Sequence, residues 1–408
     1  MTASLQSLVA ALRSGEMSAQ VQVARLSEQL SSLHSTEHGL AHVCLEHAAE
    51  AAEQADSLPD HLRGRLHGLL LPIKDLSDVA GMPTSFGSAK RTRRAQNTDA
   101  FPQSLLDKGA IIPGKTATAE LGLTVYTEPP GMSFPDNPLW PGRTPAGSSG
   151  GAAVLVARGL LPAAHASDGG GSIRVPAAAC GLVGFKPSAA GLAAQGFLTR
   201  SLIDAAFLHD LSPRSAPRRV GILTQPLFAE AAVDEVMLTA VTQAAQALRE
   251  AGHQVVEVDI PPFAAEIFAA FRTIFSSRLA TLTGQNSPIA DWLRSEGQAV
   301  TKQQLADALR QTRKLPLRLH QYWNIDALLS PMTTTDPPPI GHFSALPPAE
   351  NFLEQTRWSP WGSLFNMNRK SAVSLPWQLP HRPPVGVHLG AIALDDPSLL
   401  GLAMDLHR

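Results

Sequence analysis

Apolar residues recur at helical spacing from near the start of the chain. Leu5, Leu8, Val9 and Leu12 share one face, Gly15 stops that helix, and Ser18 is placed to cap the next. Residues 3–56 therefore read as a helical layer, including an Ala/Glu-rich helix over about Leu45 to Ala55. The pattern then changes. Within LHGLLLPIKD (66–75), Leu69, Leu70, Leu71 and Ile73 form a short continuous run that predicts a buried strand with Lys74 at its end. Ala152 to Leu161 is an apolar run of helical character, and a second run, Val175 to Val183, stops at Gly184. A softer section follows to Pro217, with one short helix near Leu202 to Leu208. Arg219 to Leu223 reads as a strand, Val233 to Ala251 as an amphipathic helix ended by Gly252, and His253 to Val258 as an alternating strand. Residues 263–322 read as mostly helical and Asp326 to Ser330 as a buried strand. A proline-rich loop, Asp336 to Gly341, precedes closing strands at Ala372 to Leu375 and Val385 to Ile392, and Leu399 to Leu406 is a last helical turn. Trp358, Trp361 and Phe365 are expected in the core rather than in a cleft. Strands alternating with helices predict an α/β fold.

Composition narrows the class. At 408 residues with 44% hydrophobic and 17% charged residues, the chain can bury a large core. A net charge of −2 without a basic stripe argues against nucleic acid as a partner. The two cysteines, Cys44 and Cys180, stand in no paired motif, so neither a disulfide framework nor a cysteine-based metal site is expected. No secretory signal and no run of about 18 apolar residues is read, so a cytoplasmic protein without a membrane partner is the expectation.

Candidate chemistry concentrates between Gly147 and Pro187. Two polar turns lie there, Gly147-Ser148-Ser149-Gly150-Gly151 and Ser167-Asp168-Gly169-Gly170-Gly171-Ser172. A glycine run can turn its amides to one side, and a serine at its end has a hydroxyl beside backbone donors, as an acyl-transfer nucleophile needs. Lys74 is a second candidate because its flank is apolar. A lysine base at pH 7 sits about 3.4 units below its free value, at a cost of about 4.6 kcal/mol, which burial can supply. Asp75 would oppose that shift if it faced Lys74, so it is expected to point away. GAIIPGKT (109–116) matches a phosphate-loop pattern, but Ile111-Ile112-Pro113 is strand-like where a flexible loop is required, and nucleotide binding is rejected. Gly147 to Gly151 also matches the G-x-S-x-G elbow centred on Ser149. That motif needs a preceding strand, and NPLWPGRTPA (137–146), with three prolines, makes a poor one.

Lys74, Ser148 and Ser172, together with GLLLPIKDL, GAIIPGKTATAELG, DNPLWPGRTPAGSSGGAA, SDGGGSIRVPAAACGLVGFKP, DALLSPMTTTDPPPIG and PVGVHLG in that order, make the sequence resemble the amidase signature family of serine hydrolases over nearly the whole chain. The resemblance implies a large twisted mixed β-sheet covered by helices on both faces. It implies a single amidase domain, 1–408: an N-terminal helical layer (1–60), a catalytic core (61–215) and a C-terminal α/β part (216–408) completing the same sheet. It implies a Ser–cis-Ser–Lys triad with Ser172 as nucleophile, Ser148 as bridging serine after a cis peptide, and Lys74 as base. The amides of Gly169, Gly170, Gly171 and Ser172 would form the oxyanion hole. Ser149, Asp168 and Arg174 match supporting residues, and Gly122 and Thr124 match substrate contacts. No cofactor or metal is implied, and a homodimer is expected.

The sequence departs from the family pattern, and its two shortened regions bear on specificity. The Asp210–Arg219 connection and the helical insert before Asp326 look short for the family, and Ala146 replaces a usual glycine. Gly169 stands where the A subunits of tRNA amidotransferases more often carry threonine, which favours a stand-alone amidase acting on a small-molecule carboxylic amide. The alternatives are a glutaminase-type amidotransferase A subunit, a non-catalytic family member, and an elbow hydrolase using Ser149 with a late histidine such as His381 or His388. The amide itself is not legible.

Overall fold

The computed structural model describes residues 4–406; residue 3 of the first predicted helix lies outside them. Thirteen strands are present among the described residues: β1 Leu40–Val43, β2 Ile73–Lys74, β3 Pro83–Thr84, β4 Arg93–Arg94, β5 Gly114–Thr116, β6 Ala163–Asp168, β7 Val183–Lys186, β8 Ala194–Thr199, β9 Arg219–Ile222, β10 Gln254–Glu257, β11 Ala327–Pro331, β12 Ala372–Trp377 and β13 Val385–Ala391.

Eight of them form one mixed sheet in the order β10-β9-β11-β13-β12-β7-β8-β6. The β10, β9 and β11 pairings are parallel, and every later pairing is antiparallel. Parallel pairs need crossovers, and the amphipathic helix Glu235–Glu250 supplies the one from β9 to β10. Inner strands buried on both faces read as continuous apolar runs. In β11 all five residues are buried. Ala327 and Leu329 pack with the helix Glu235–Glu250 on one face, and Leu328 packs with the helices Ala264–Ser277 and Lys302–Trp323 on the other. Period-two alternation thus feeds two separate cores. Trp361 and Phe365 are wholly buried and Trp358 nearly so, as expected of core residues.

The N-terminal helices follow the capping signals. Ser18 Oγ accepts from Val21 N, and Gly15 closes Leu5–Ser14 at φ 76°. The predicted strand over 66–75 shrinks to Ile73–Lys74. Upstream, residues 65–68 form a turn in which Leu69 N bonds Leu66 O, and Leu70 makes an isolated parallel bridge to Ile111 through Ile111 N to Leu69 O and Leu71 N to Ile111 O. β2 joins the small sheet β1-β5-β2, and GAIIPGKT contributes β5 rather than a phosphate loop. Strands β1, β3, β4, β6, β7 and β8 have no counterpart in the sequence reading. Among the described residues no helix is long and apolar enough to cross a membrane.

Candidate active site

Lys74 enters the interior at the end of β2, and its side chain is fully buried. Two bonds through His165 on β6 hold that strand end. Lys74 N donates to His165 Nδ1 (3.1 Å), and His165 N donates to Pro72 O (3.1 Å). Because Nδ1 accepts, the ring proton sits on Nε2 and is donated to Gln195 Oε1 (2.8 Å) on β8. Burial lowers the His165 pKa to about 3, so the ring is neutral and acts as a fixed dipole. Sequence reasoning missed His165, since an isolated histidine in an alanine-rich stretch carries no signal.

From that anchor Lys74 Nζ donates to Ser148 Oγ at 2.7 Å and to Ser167 O at 3.2 Å. Burial lowers its pKa from 10.5 to about 7, and the Asp168 carboxylate pulls the other way. The Gly147–Ser148 peptide is cis. Ser148 lies at the entry to the helix Gly150–Ala157, and Ser149, the N-cap residue, makes only a long bond (3.4 Å) from Oγ to Ser167 O. Asp75 turns to Lys115 Nζ (3.2 Å) and Ser85 N (3.0 Å), away from Lys74 as expected.

Asp168, the last residue of β6, organises the glycine turn. Its Oδ1 accepts from Gly171 N (2.7 Å) and its Oδ2 from Ile173 N (3.2 Å), while Arg174 Nε and Nη2 grip the two oxygens at 2.9 Å each. Burial alone would raise the Asp168 pKa, but the Arg174 charge holds it well below the usual carboxylate range. Arg174 also donates to Gly362 O (2.8 Å), Asn366 Oδ1 (2.7 Å) and His388 Nε2 (3.0 Å). Arginine only donates, so His388 Nε2 accepts and its Nδ1–H faces Ser330 Oγ at 3.2 Å. Burial, reinforced by Arg174, keeps His388 neutral. Asn366 and His388 were not read from the sequence as parts of this turn.

One expectation needs correction. Gly171 N–H is committed to Asp168 and is not free for an oxyanion. Among the described residues, the amides of Gly169, Gly170 and Ser172 make no backbone hydrogen bond within the chain. Gly171, at φ 134°, holds the bend.

Ser172 is partly exposed and opens on a pocket that it lines with Gly169, Gly170, Gly122 and Thr124. Gly122 is left-handed (φ 72°), and a Cβ there would lie 2.8 Å from Leu76 and 3.5 Å from Ser148 Oγ. The segment after it is pinned by Val125 N to Gln355 Oε1 (2.8 Å) and by Asn351 Nδ2 to Tyr126 Oη (3.0 Å). Thus Lys74 and Ser149 both donate to Ser167 O, Lys74 also donates to Ser148 Oγ, and Ser172, Gly122 and Thr124 share one pocket. The elbow arrangement is absent among the described residues: no strand precedes Ser149, His388 Nε2 is occupied by Arg174, and His381 is exposed in a turn.

The family model described as Amidase matches residues 22–207 and 199–400. The chain is 31% identical over 400 residues to "Putative amidase AmiB2" of Mycobacterium tuberculosis (strain ATCC 25618 / H37Rv), covering 88% of this chain and 85% of that one. Among solved structures, 6-aminohexanoate cyclic dimer hydrolase with its substrate superposes at a TM-score of 0.87 with 23% identity, over 99% of this chain and 96% of that one. A crystal structure of an amidase superposes at 0.84 with 26% identity over 99% of both chains. The chain therefore belongs to the amidase signature family and is an amide hydrolase.

Proposed function

We propose that the protein hydrolyses a small-molecule carboxylic amide to a carboxylate and ammonia or an amine through an acyl-enzyme on Ser172. The observation that carries this reading is the fully buried 2.7 Å contact between Lys74 Nζ and Ser148 Oγ, with Lys74 brought to a pKa of about 7. Neutral Lys74 takes the Ser148 hydroxyl proton while Ser148 takes the proton of Ser172. Ser172 Oγ then bonds to the amide carbon. The carbonyl oxygen gains negative charge and is met by the amides of Gly169, Gly170 and Ser172; one such donor is worth roughly 2.7–4 kcal/mol. As the C–N bond breaks, the proton returns through Ser148 to the leaving nitrogen. Water then attacks the acyl-enzyme, gives up its proton along the same route, and Ser172 Oγ leaves with a proton restored.

The test is intact mass and peptide mapping after exposure to a fluorophosphonate. A single adduct on Ser172, formed slowly or not at all in Lys74→Ala and Ser148→Ala but readily in Ser149→Ala, is the expected result. An adduct on Ser149 overturns the assignment.

A further inference from the structure

The wall facing Ser172 is aromatic. The helix Ala264–Ser277 presents Phe268, Phe271 and Phe275 to the pocket, and Phe352 joins them from the helix Pro348–Trp358. Residues spaced by three, four and seven fall along one helical face. Here that face looks into a cavity rather than wholly into the core. The rings form a series: Phe268 and Phe271 lie 6.0 Å apart and 20° from parallel, Phe271 and Phe275 lie 5.4 Å apart and 24° from parallel, and Phe268 and Phe352 lie 6.4 Å apart. The wall reaches the glycine turn itself, because a Cβ on Gly170 would stand 3.1 Å from the tip of Phe271. Phe268, Phe275 and Phe352 keep partial exposure.

The rest of the lining is uncharged. Among the described residues around this pocket there is no Asp, Glu, Lys, Arg or His. Beyond Thr124 a neighbouring depression holds Glu120 and Glu128. Glu120 Oε2 accepts from Ser287 N (3.0 Å), its Oε1 has Arg91 Nε at 3.6 Å, and Glu128 accepts from Gly341 N (3.0 Å) and Ser344 Oγ. A substrate bearing a carboxylate or an α-ammonium group, as glutamine does, would find no opposite charge in this lining, only neutral groups such as Gln355, Thr356, Ser359 and Ser363, and its desolvation would be poorly offset. A flat apolar group instead gains burial and offset stacking on successive rings.

Resting on the nucleophile reading above, we propose that the substrate is a neutral amide whose non-reacting portion is an aromatic or similarly flat apolar group seated on Phe268, Phe271, Phe275 and Phe352. This places the protein apart from glutaminases by the chemistry of its pocket. Phe268 and Phe352 are the specificity-determining positions, since they line the pocket without being fully buried.

Fluorophosphonates that share one reacting centre and differ in their tails provide the test, read as the rate of adduct formation on Ser172. The probes are a phenylalkyl tail, a carboxylate-ended tail of equal length, and a minimal ethyl tail. The phenylalkyl probe is expected to label about tenfold or more faster than the carboxylate probe. Phe268→Ala and Phe352→Ala are each expected to cut the phenylalkyl rate several-fold more than the ethyl rate, and a thermal melt close to wild type shows that the variants are folded. Equal rates for the two long tails, or a faster carboxylate probe, overturn the proposal while leaving Ser172 as nucleophile. Failure of every probe to label Ser172 overturns the nucleophile reading and this inference with it. A steady-state comparison of neutral aryl amides with L-glutamine should show the same order.

Discussion

Lys74 and Asp75 are consecutive in the chain, yet their side chains serve separate hydrogen-bond networks. Lys74 reaches Ser148 Oγ and Ser167 O, and Asp75 reaches Lys115 Nζ and Ser85. Lys74 ends β2, and Asp75 is the first residue of the turn that follows. The charge drawing the Lys74 pKa upward is that of Asp168, so burial dominates and the lysine stays close to neutral. Lys115, itself buried, neutralises Asp75.

The rate should therefore follow Lys74. Only its neutral form accepts a proton, so kcat/KM is expected to rise with pH through about 7 and level off above it. Lys74→Ala should lower kcat/KM by about 10²-fold or more and abolish that limb. A pH profile of kcat/KM for wild type and variant checks both.

Stability should rise with pH over a higher window. Lys74 and Lys186 are both lowered to about 7 by burial, with Arg174 assisting at Lys186. Between about 7 and about 10.5 the unfolded chain holds protons on these lysines that the folded protein lacks, and raising the pH then favours the folded state. Below about 7 both states are protonated and the dependence from these groups vanishes. Denaturation midpoints measured from pH 7 to 10 should climb for wild type and climb less steeply for Lys74→Met and for Lys186→Met.

Two neighbouring glycines should respond differently to alanine. Nothing lies within 4 Å of a Cβ built on Gly169, whereas Gly171 sits at φ 134° with Val175 at 3.0 Å from the added carbon. Gly169→Ala is expected to leave the melting temperature nearly unchanged. Gly171→Ala should cost about 1–3 kcal/mol and impair labelling of Ser172. Thermal melts alongside probe labelling distinguish the two.

Removing Arg174 strands the buried Asp168 carboxylate. Arg174→Ala is expected to destabilise the protein by about 3–5 kcal/mol, a shift readable in urea titration. Because Asp168 also holds Gly171 N and Ile173 N, any Arg174→Ala protein that remains folded should label slowly at Ser172.

Much of this was legible in the chain. Ser18 and Gly15 marked helix ends by local chemistry, and Arg219 to Leu223 and Asp326 to Ser330 were apolar enough to be read as inner strands. β6 and β8 were not. AAHASD and AQGFLT are rich in alanine and glycine, and what makes them strands is their pairing with each other, which no local propensity encodes. Gly196 is there because a Cβ would meet Phe185 O at 2.8 Å, a tertiary reason. In the site, the serines and the lysine announced themselves through glycine runs and an apolar flank. His165, Asn366 and His388 act through distant partners, and Phe268, Phe271 and Phe275 have a helical spacing indistinguishable from core.

The grip of Arg174 on residues about two hundred positions downstream has a bearing on how the protein is made. Asn366 is 192 residues and His388 is 214 residues further along the chain. On the ribosome, the serines and glycines emerge long before the groups that hold their turn. A nascent chain carrying Ser172 therefore lacks these supports until synthesis has passed His388. Premature termination before residue 362 would leave a guanidinium with no carbonyl, amide or imidazole to receive it. The glycine turn is thus finished by the sheet and the helix Leu364–Met367, not by the segment that contains Ser172.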